Sequence, residues 1–273
     1  MSISNSTAAR APALVHAAWR YRGFIASSVR NEFKSRLSRS RFGAAWVVLQ
    51  PLAQVLIFAT ILSNVLAARL QGVDNRYAYA VYLISGIVCW ALFSEIVQRC
   101  LTVFIDNASL LKRMQFPRIC LPLIAIGIAL VSNMALLVVT LLILPLLGFV
   151  PGVELLWLPA LILLTVALGT GFGLLLGTLN VFMRDVGQVV LVVMQFWFWV
   201  TPIVYPIDIV PEAFRATLAI NPVVPLVGGY HDILVYGRAP GEGLLWVALV
   251  AGVLLVLAWL MFRRASAEMV DVL

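Results

Sequence analysis

Few side chains in this 273-residue chain can do chemistry. Two histidines, His16 and His231, stand far apart with no carboxylate at zinc-ligand spacing, so a metalloprotease site is not expected. Cys89, Cys100 and Cys120 lie in or beside apolar segments without metal-ligand spacing and read as free structural thiols. The only lysines are Lys34 and Lys112; neither follows a glycine, and no G-x-x-x-x-G-K-[ST] loop is present to cradle ATP. Glu95, Asp106 and Asp185 make no convincing acid-base or metal set for a membrane-embedded transferase. Neither a catalytic residue nor a metal ligand is therefore assigned. What remains is binding chemistry, concentrated in Gln195-Phe196-Trp197-Phe198-Trp199 and Tyr205, and in Arg36, Arg39 and Arg41. From pattern alone the aromatic run reads equally as an interfacial belt and as the mouth of a pathway.

The elements that must position these groups are membrane spans. Phe42 to Ala68, Ile119 to Val153, Leu155 to Met183 and Val186 to Ile207 carry no charged residue, and each can cross a hydrocarbon core of about 30 Å as a helix. Tyr77 to Ser94 and Gly243 to Phe262 are near spanning length, giving an expected six crossings. A chain 63% apolar and 11% charged cannot present an ordinary soluble surface. The formal charge of +7 gathers beside the ends of apolar segments, which points to membrane topology and not to nucleic acid. Eight Lys and Arg precede the first crossing, and the bias alternates thereafter, placing both termini in the cytoplasm. The first crossing begins too far from Met1 for a signal peptide and is expected to be retained. Spans free of Asp, Glu, Lys and Arg leave no proton or ion relay, so transport would draw its energy from another subunit.

The interruptions carry the remaining information. Residues 1 to 12 are Ser-, Ala- and Asn-rich and read as a disordered tip. From Leu14 to Leu37, Tyr21, Ile25, Val29, Phe33 and Leu37 recur every fourth residue among basic side chains, predicting a helix on the membrane surface. From Glu95 to Arg118 the chain reads as a cytoplasmic loop holding a short amphipathic helix, ended by Phe116-Pro117. Gly169, Gly171, Gly173 and Gly177 predict close helix packing in the fourth crossing. The fifth crossing stops at Thr201-Pro202, and the apolar, Pro-broken stretch beyond it predicts re-entrant half-helices over Phe214 to Ile220 and Val223 to Val227.

In order along the chain, KSRLSRSRFGAAWVVLQP (Lys34 to Pro51), LLKRMQFPRICLPL (Leu110 to Leu123), NVFMRDV (Asn180 to Val186), TPIVYP (Thr201 to Pro206) and INPVVPLV (Ile220 to Val227) resemble the membrane subunit of ABC-2 type exporters. Members of that family move lipid-linked polysaccharides such as O-antigen, capsule and teichoic acid out of bacterial cells. The resemblance runs from about Arg30 to Phe262, with one departure at Tyr230-His231-Asp232, where many relatives carry an Arg near the His position.

This resemblance implies an all-α domain over residues 1–273: a tail and amphipathic helix (1–43), a six-span region (44–262) with a coupling loop (100–118) and a re-entrant segment (202–232), and a tail (263–273). It implies a homodimer with two copies of a separate ATPase, ATP and magnesium being held there and no cofactor here. The ATPase would dock on Asp106, Asn107, Leu110, Leu111, Lys112, Arg113 and Phe116, with the N-terminal helix beside them. Phe196, Trp197, Phe198, Trp199 and Tyr205 would offer stacking faces to sugar rings, about two of the four consecutive aromatics facing the path, since successive helical residues turn about 100°. Arg36, Arg39 and Arg41 would meet the carrier pyrophosphate, and Pro202, Pro206, Asn221 and Pro222 would form the outer gate. The expected function is export of a lipid-linked glycan, O-antigen foremost, across the bacterial inner membrane. Alternatives are export of teichoic acid, capsule or small hydrophobic molecules and, more remotely, a polyprenyl-phosphate transferase.

Overall fold

In the computed structural model the described residues are 19–39, 46, 49–54, 56–57, 75–113, 117–150, 152–265 and 268–269, and all their regular structure is helical. In chain order the helices are α1 (Arg22–Arg39), α2 (Ala78–Asp106), α3 (Ala108–Arg113), α4 (Cys120–Ile143), α5 (Leu158–Phe182), α6 (Asp185–Val200), α7 (Glu212–Ile220), α8 (Val223–Leu234) and α9 (Gly243–Ala265). Four have the length and hydropathy to span a bilayer: α2, α4 continued through Leu147, α5 begun at Val153, and α9. They fall at the second, third, fourth and sixth expected crossings. Helix α6 takes the fifth position with only 16 residues, a rise of about 24 Å. Most of the expected first crossing, Phe42 to Ala68, lies outside the described residues.

Helix α2 is the centre of the bundle, packed on α4, α5, α6 and α8. Of its most apolar window 72% is buried in protein, against 17% for α9, which puts α9 on the outside of the bundle. Lipid tails are as apolar as Leu, so contact distance rather than exclusion from water holds these helices together. The glycines of α5 supply that closeness: a Cβ on Gly177 would run into the Cys100 carbonyl oxygen, and one on Gly173 would stand 2.7 Å from Cys100 Cβ.

Helix α2 also differs from its sequence expectation. The charge-free run ends at Ser94, where the sequence reading begins a loop, yet the helix continues to Asp106. Glu95 and Arg99, one turn apart, pair at 2.8 Å and cancel each other's charge on one face. Ile96, Cys100 and Phe104 meanwhile remain buried on the other. The expected single amphipathic helix around Ile105 is broken at Asn107, whose amide donates to the Val103 carbonyl at 2.8 Å and ends α2. Of the expected loop 100–118, the first seven residues therefore belong to α2, and α3 (Ala108–Arg113) follows the break.

Helix α1 keeps the expected repeat, Tyr21, Ile25, Val29 and Phe33 being half-buried while Arg22, Arg30 and Lys34 are exposed. Its apolar side meets protein: α1 packs on α4, with Val29 against Gly127. Beyond α6, α7 and α8 are the two short helices expected there, and α8 inserts between α2 and α5 with Tyr230 and Leu226 fully buried. Twelve residues give α8 a rise of about 18 Å, too little to span.

Candidate functional site

A groove of about 890 Å³ opens along the bundle, and its lining follows helical spacing on each wall. Helix α2 contributes Ile87, Trp90, Ala91, Ser94, Glu95, Gln98 and Arg99, while α6 contributes Leu191, Met194, Gln195, Phe198 and Trp199. Both sets step by three and four residues, so each is one stripe of its helix. Ser132, Asn133 and Leu136 of α4, and Trp46, Gln50, Pro51 and Gln54 of the first-crossing region, complete the wall. Below it a smaller chamber of about 440 Å³ continues the same two stripes, through Thr102 and Ile105 on α2 and through Gln188, Gly187 and Arg184 on α6. From Ile87 to Ile105 the corridor runs about 27 Å along α2, nearly the thickness of the hydrocarbon core.

Its chemistry is aromatic faces interleaved with amides. Trp90 meets Phe198 edge-on with centroids 5.7 Å apart, and Phe198 in turn meets Trp199 at 5.5 Å. Gln50, Gln54, Gln98 and Gln195 stand among them, and Asn133 donates to the Val88 carbonyl at 2.8 Å. Among the described residues Ser132 Oγ and Asn133 Oδ1 are buried at this wall without a protein partner. Glu95 and Arg99 are the charged groups lining the groove, and Arg99 places both Nε and one Nη at 2.8 Å from the same Glu95 oxygen.

The aromatic run divides around α6. Phe198 and Trp199 line the groove, and Phe196 is 70% exposed on the outer face. Trp197 turns inward against Phe93 and Phe172, with centroids 5.3 and 5.2 Å away. Its indole N–H donates to Asn221 Oδ1 at 3.0 Å, which ties α6 to the start of α8.

That bond belongs to a latch-like network that joins the end of α6, the loop beyond it and the start of α8. Pro202 keeps Thr201 out of helical geometry and stops α6, and the Thr201 hydroxyl donates back to the Trp197 carbonyl at 2.8 Å. Asn221 donates to Thr201 Oγ1 at 3.1 Å and accepts the Val223 N–H at 3.0 Å. From α2, Tyr82 shares its hydroxyl proton between the Pro202 and Tyr205 carbonyls at 3.2 and 3.1 Å, and Tyr79 donates to the Val204 carbonyl. The Tyr82 ring stacks on His231, centroids 3.6 Å apart, in the space left by Gly86. Tyr205 closes the set by donating to the Trp199 and Val200 carbonyls at 3.1 Å. Asn221 thus joins the network through Thr201 and Trp197, Pro202 joins it through its carbonyl bond to Tyr82, and Pro206 and Pro222 precede the turn Ile207–Ile209 and α8.

At the opposite end, Leu111 anchors α3 in a cluster with Phe104, Leu121 and Ala125. Asp106, Ser109 and Lys112 are exposed beside it, and Asn107 and Leu110 are half-buried. Phe116 and the Arg113 side chain lie outside the described set, as does Arg41; Arg36 and Arg39 fall on α1.

The sequence pattern of the ABC-2 type transporter matches residues 24–235, which contain the corridor, the latch and α3. The chain belongs to the ABC-2 type transporter family. This ABC-2 protein is accordingly a multi-pass membrane permease, the transport subunit of an ABC complex and not its catalytic one. It is 28% identical to the O-antigen export system permease protein RfbA of Myxococcus xanthus over 265 residues, 94% of this chain and 98% of that one. Identity to a Klebsiella pneumoniae protein of the same name is 26%, over 89% of this chain and 92% of the relative. The polysialic acid transport protein KpsM of Escherichia coli is 21% identical over 87% and 92%.

Several residues of this ABC-2 permease escaped sequence reasoning. Tyr79 and Tyr82 are three apart, a spacing that puts both on one face of α2, and this signal was available. Glu95 and Arg99 offered the same clue at spacing four. Thr201, Trp90, Asn133 and His231 gain their roles only through contacts across the bundle.

Proposed function

We propose that this permease exports a lipid-linked polysaccharide, O-antigen foremost, across the bacterial cytoplasmic membrane, driven by a separate ATPase that binds ATP and magnesium. The observation that carries this reading is the corridor lining. Sugar rings present apolar CH faces to Trp90, Phe198 and Trp199 and hydroxyls to Gln50, Gln54, Gln98, Asn133 and Gln195. Repeated shallow contacts of this kind let a polymer slide without one deep trap. A small hydrophobic cargo would leave those amides unpaired, which disfavours the drug-export alternative. The printed functions of the relatives, O-antigen export and polysialic acid transport, support a glycan in the same sense.

Among the described residues the groove is not enclosed, so a second copy of the chain is a natural closing wall, and we infer a homodimer carrying two ATPase subunits. ATPase closure would push on α3 and its neighbours, and the Leu111 anchor would pass that displacement to the lower core that includes Phe104 of α2. The latch from Thr201 to Tyr205 is the outer gate in this scheme.

Export of surface glycan from strains carrying Trp199→Ala or Phe198→Ala tests the reading, together with co-purification of a P-loop ATPase. Wild-type export in both variants, or a permease that never captures an ATPase, rejects it.

A further inference from the structure

Ser132 and Asn133 line the groove from α4, each only 3% exposed, and each carries an oxygen without a partner among the described residues. The Asn133 amide is held in one orientation. Its Nδ2 donates to the Val88 carbonyl of α2 at 2.8 Å, which fixes the other end as an acceptor, and that acceptor, Oδ1, is the unpartnered atom. Gln50, Gln54, Gln98 and Gln195 are by contrast exposed on the same lining. Ser132 differs from other buried hydroxyls of the bundle. Thr140, Thr165 and Thr178 each donate to the carbonyl four residues back, at 2.9, 2.7 and 2.8 Å, whereas the Ser132 hydroxyl makes no such bond and keeps its proton to give. Around the two oxygens the lining is aliphatic: Leu136 lies one turn on along α4, and Ile87 and Ala91 flank Val88 on α2. A dry acceptor beside a dry donor costs stability until something pairs with both.

We propose that Ser132 and Asn133 form a notch that reads an acetamido substituent on the exported sugar. The proposal rests on the glycan-corridor reading above and deepens it. An acetamido group brings an N–H to Asn133 Oδ1, a carbonyl to the Ser132 hydroxyl and a methyl to Leu136, Ile87 and Ala91, so each part of the notch has its match. A pair of sugar hydroxyls would satisfy the two oxygens but set a polar edge against the aliphatic side chains. A carboxylate would meet Asn133 Oδ1 acceptor to acceptor. Aromatic faces accept many sugar rings alike, whereas a tethered acceptor and donor disfavour a ring that lacks the complementary group, since they are then left unpaired.

Chitotetraose and cellotetraose share one backbone and differ only at the second carbon of each ring, acetamido against hydroxyl. Each is titrated by calorimetry into the permease with its ATPase, held in phosphatidylcholine nanodiscs. Chitotetraose should bind about tenfold more tightly, the weight of about one hydrogen bond. Ser132→Ala should remove most of that preference, weakening chitotetraose and sparing cellotetraose. The unliganded variant should melt no lower than wild type, because the hydroxyl bonds nothing among the described residues. Asn133→Leu should also lose the preference, with a lower midpoint from the lost Val88 bond. Thr170→Val is the control: its hydroxyl is likewise unpartnered among the described residues but lines neither cavity, and the preference should survive. Equal affinity for the two sugars in the wild type overturns the proposal, as does a preference that persists in both Ser132→Ala and Asn133→Leu. A lower midpoint for unliganded Ser132→Ala overturns it too, returning that hydroxyl to the fold. If both sugars bind alike and Trp199→Ala weakens both, the notch falls and the corridor stands; if neither sugar binds, both readings fall.

Discussion

Trp197 and Trp199 sit two positions apart on α6, a turn of about 200°, so the helix must point them to opposite sides. Trp197 fills the space between Phe93 and Phe172 and donates to Asn221, whereas Trp199 lines the groove and is 53% exposed. Their alanine variants should therefore separate. Trp197→Ala removes a packed ring and one of the two donors to Asn221 Oδ1, at a cost of about 3–5 kcal/mol, visible as a large fall in thermal midpoint and in membrane abundance. Trp199→Ala should shift stability by no more than about 0.5 kcal/mol while reducing glycan export. Equal loss of stability in the two would place both rings in the core. Asn221 offers a second comparison: Asn221→Ala leaves the Trp197 and Val223 N–H groups without their acceptor and should cost about 1–3 kcal/mol. Because these bonds hold the segment after α6, the variant should also pass small dyes across liposomes that the wild type keeps sealed; a tight, stable variant would remove Asn221 from the gate.

At the scale of elements, charge-free length marked where α4, α5 and α9 run, overstated α6, which fills 16 residues, and misled where charge is compensated. Ile119 to Val153 and Leu155 to Met183 announced α4 and α5 through length and hydropathy alone, and the Pro-broken stretch after Thr201 announced α7 and α8 as two short helices. Ser94 reads as the end of a span because Glu95 follows it, yet Arg99 one turn later neutralises that charge and α2 continues to Asp106. The corridor was half legible. Its α6 stripe showed as an aromatic cluster, but its α2 stripe mixes Trp90, Ser94 and Gln98 with apolar residues and stands out only once the two helices face each other. The Tyr82–His231 stack joins residues distant in the chain, which no local pattern encodes. The glycine spacing, by contrast, made a structural prediction that extends to mutation. Gly177→Val has no room against the Cys100 carbonyl and should abolish stable insertion, whereas a valine at Gly252, where nothing approaches, should be tolerated in the same membrane-fraction assay. Lys112 is exposed on an anchored helix, so under the proposed docking on α3 Lys112→Glu with Arg113→Glu should leave insertion intact and abolish both ATPase capture and export. Normal capture would move the docking face elsewhere.

For the whole molecule, the decisive feature is that, among the described residues, the corridor is a half-pipe: α2, α4, α6 and the first-crossing residues give it walls without enclosing it. An amide-lined surface facing lipid would leave Gln50, Gln54 and Gln98 without partners in hydrocarbon, a cost of several kcal/mol for each unsatisfied group. A second copy related by a two-fold axis would instead bring like residues near the axis into apposition. Gln54, exposed on the first-crossing wall, should meet its own copy across such an axis. The native cysteines Cys89, Cys100 and Cys120 are all buried, so the wild-type chain is a silent background for cross-linking. Under copper-phenanthroline oxidation in membranes, Gln54→Cys should give a disulfide-linked dimer. Leu257→Cys, on the exposed face of α9, should remain a monomer. A dimer from the α9 variant and none from Gln54→Cys would turn the half-pipe to lipid and reject the shared channel. The linked Gln54→Cys pair should also lose export until a reductant is added, because a polymer can pass between two copies only if their open sides can move apart.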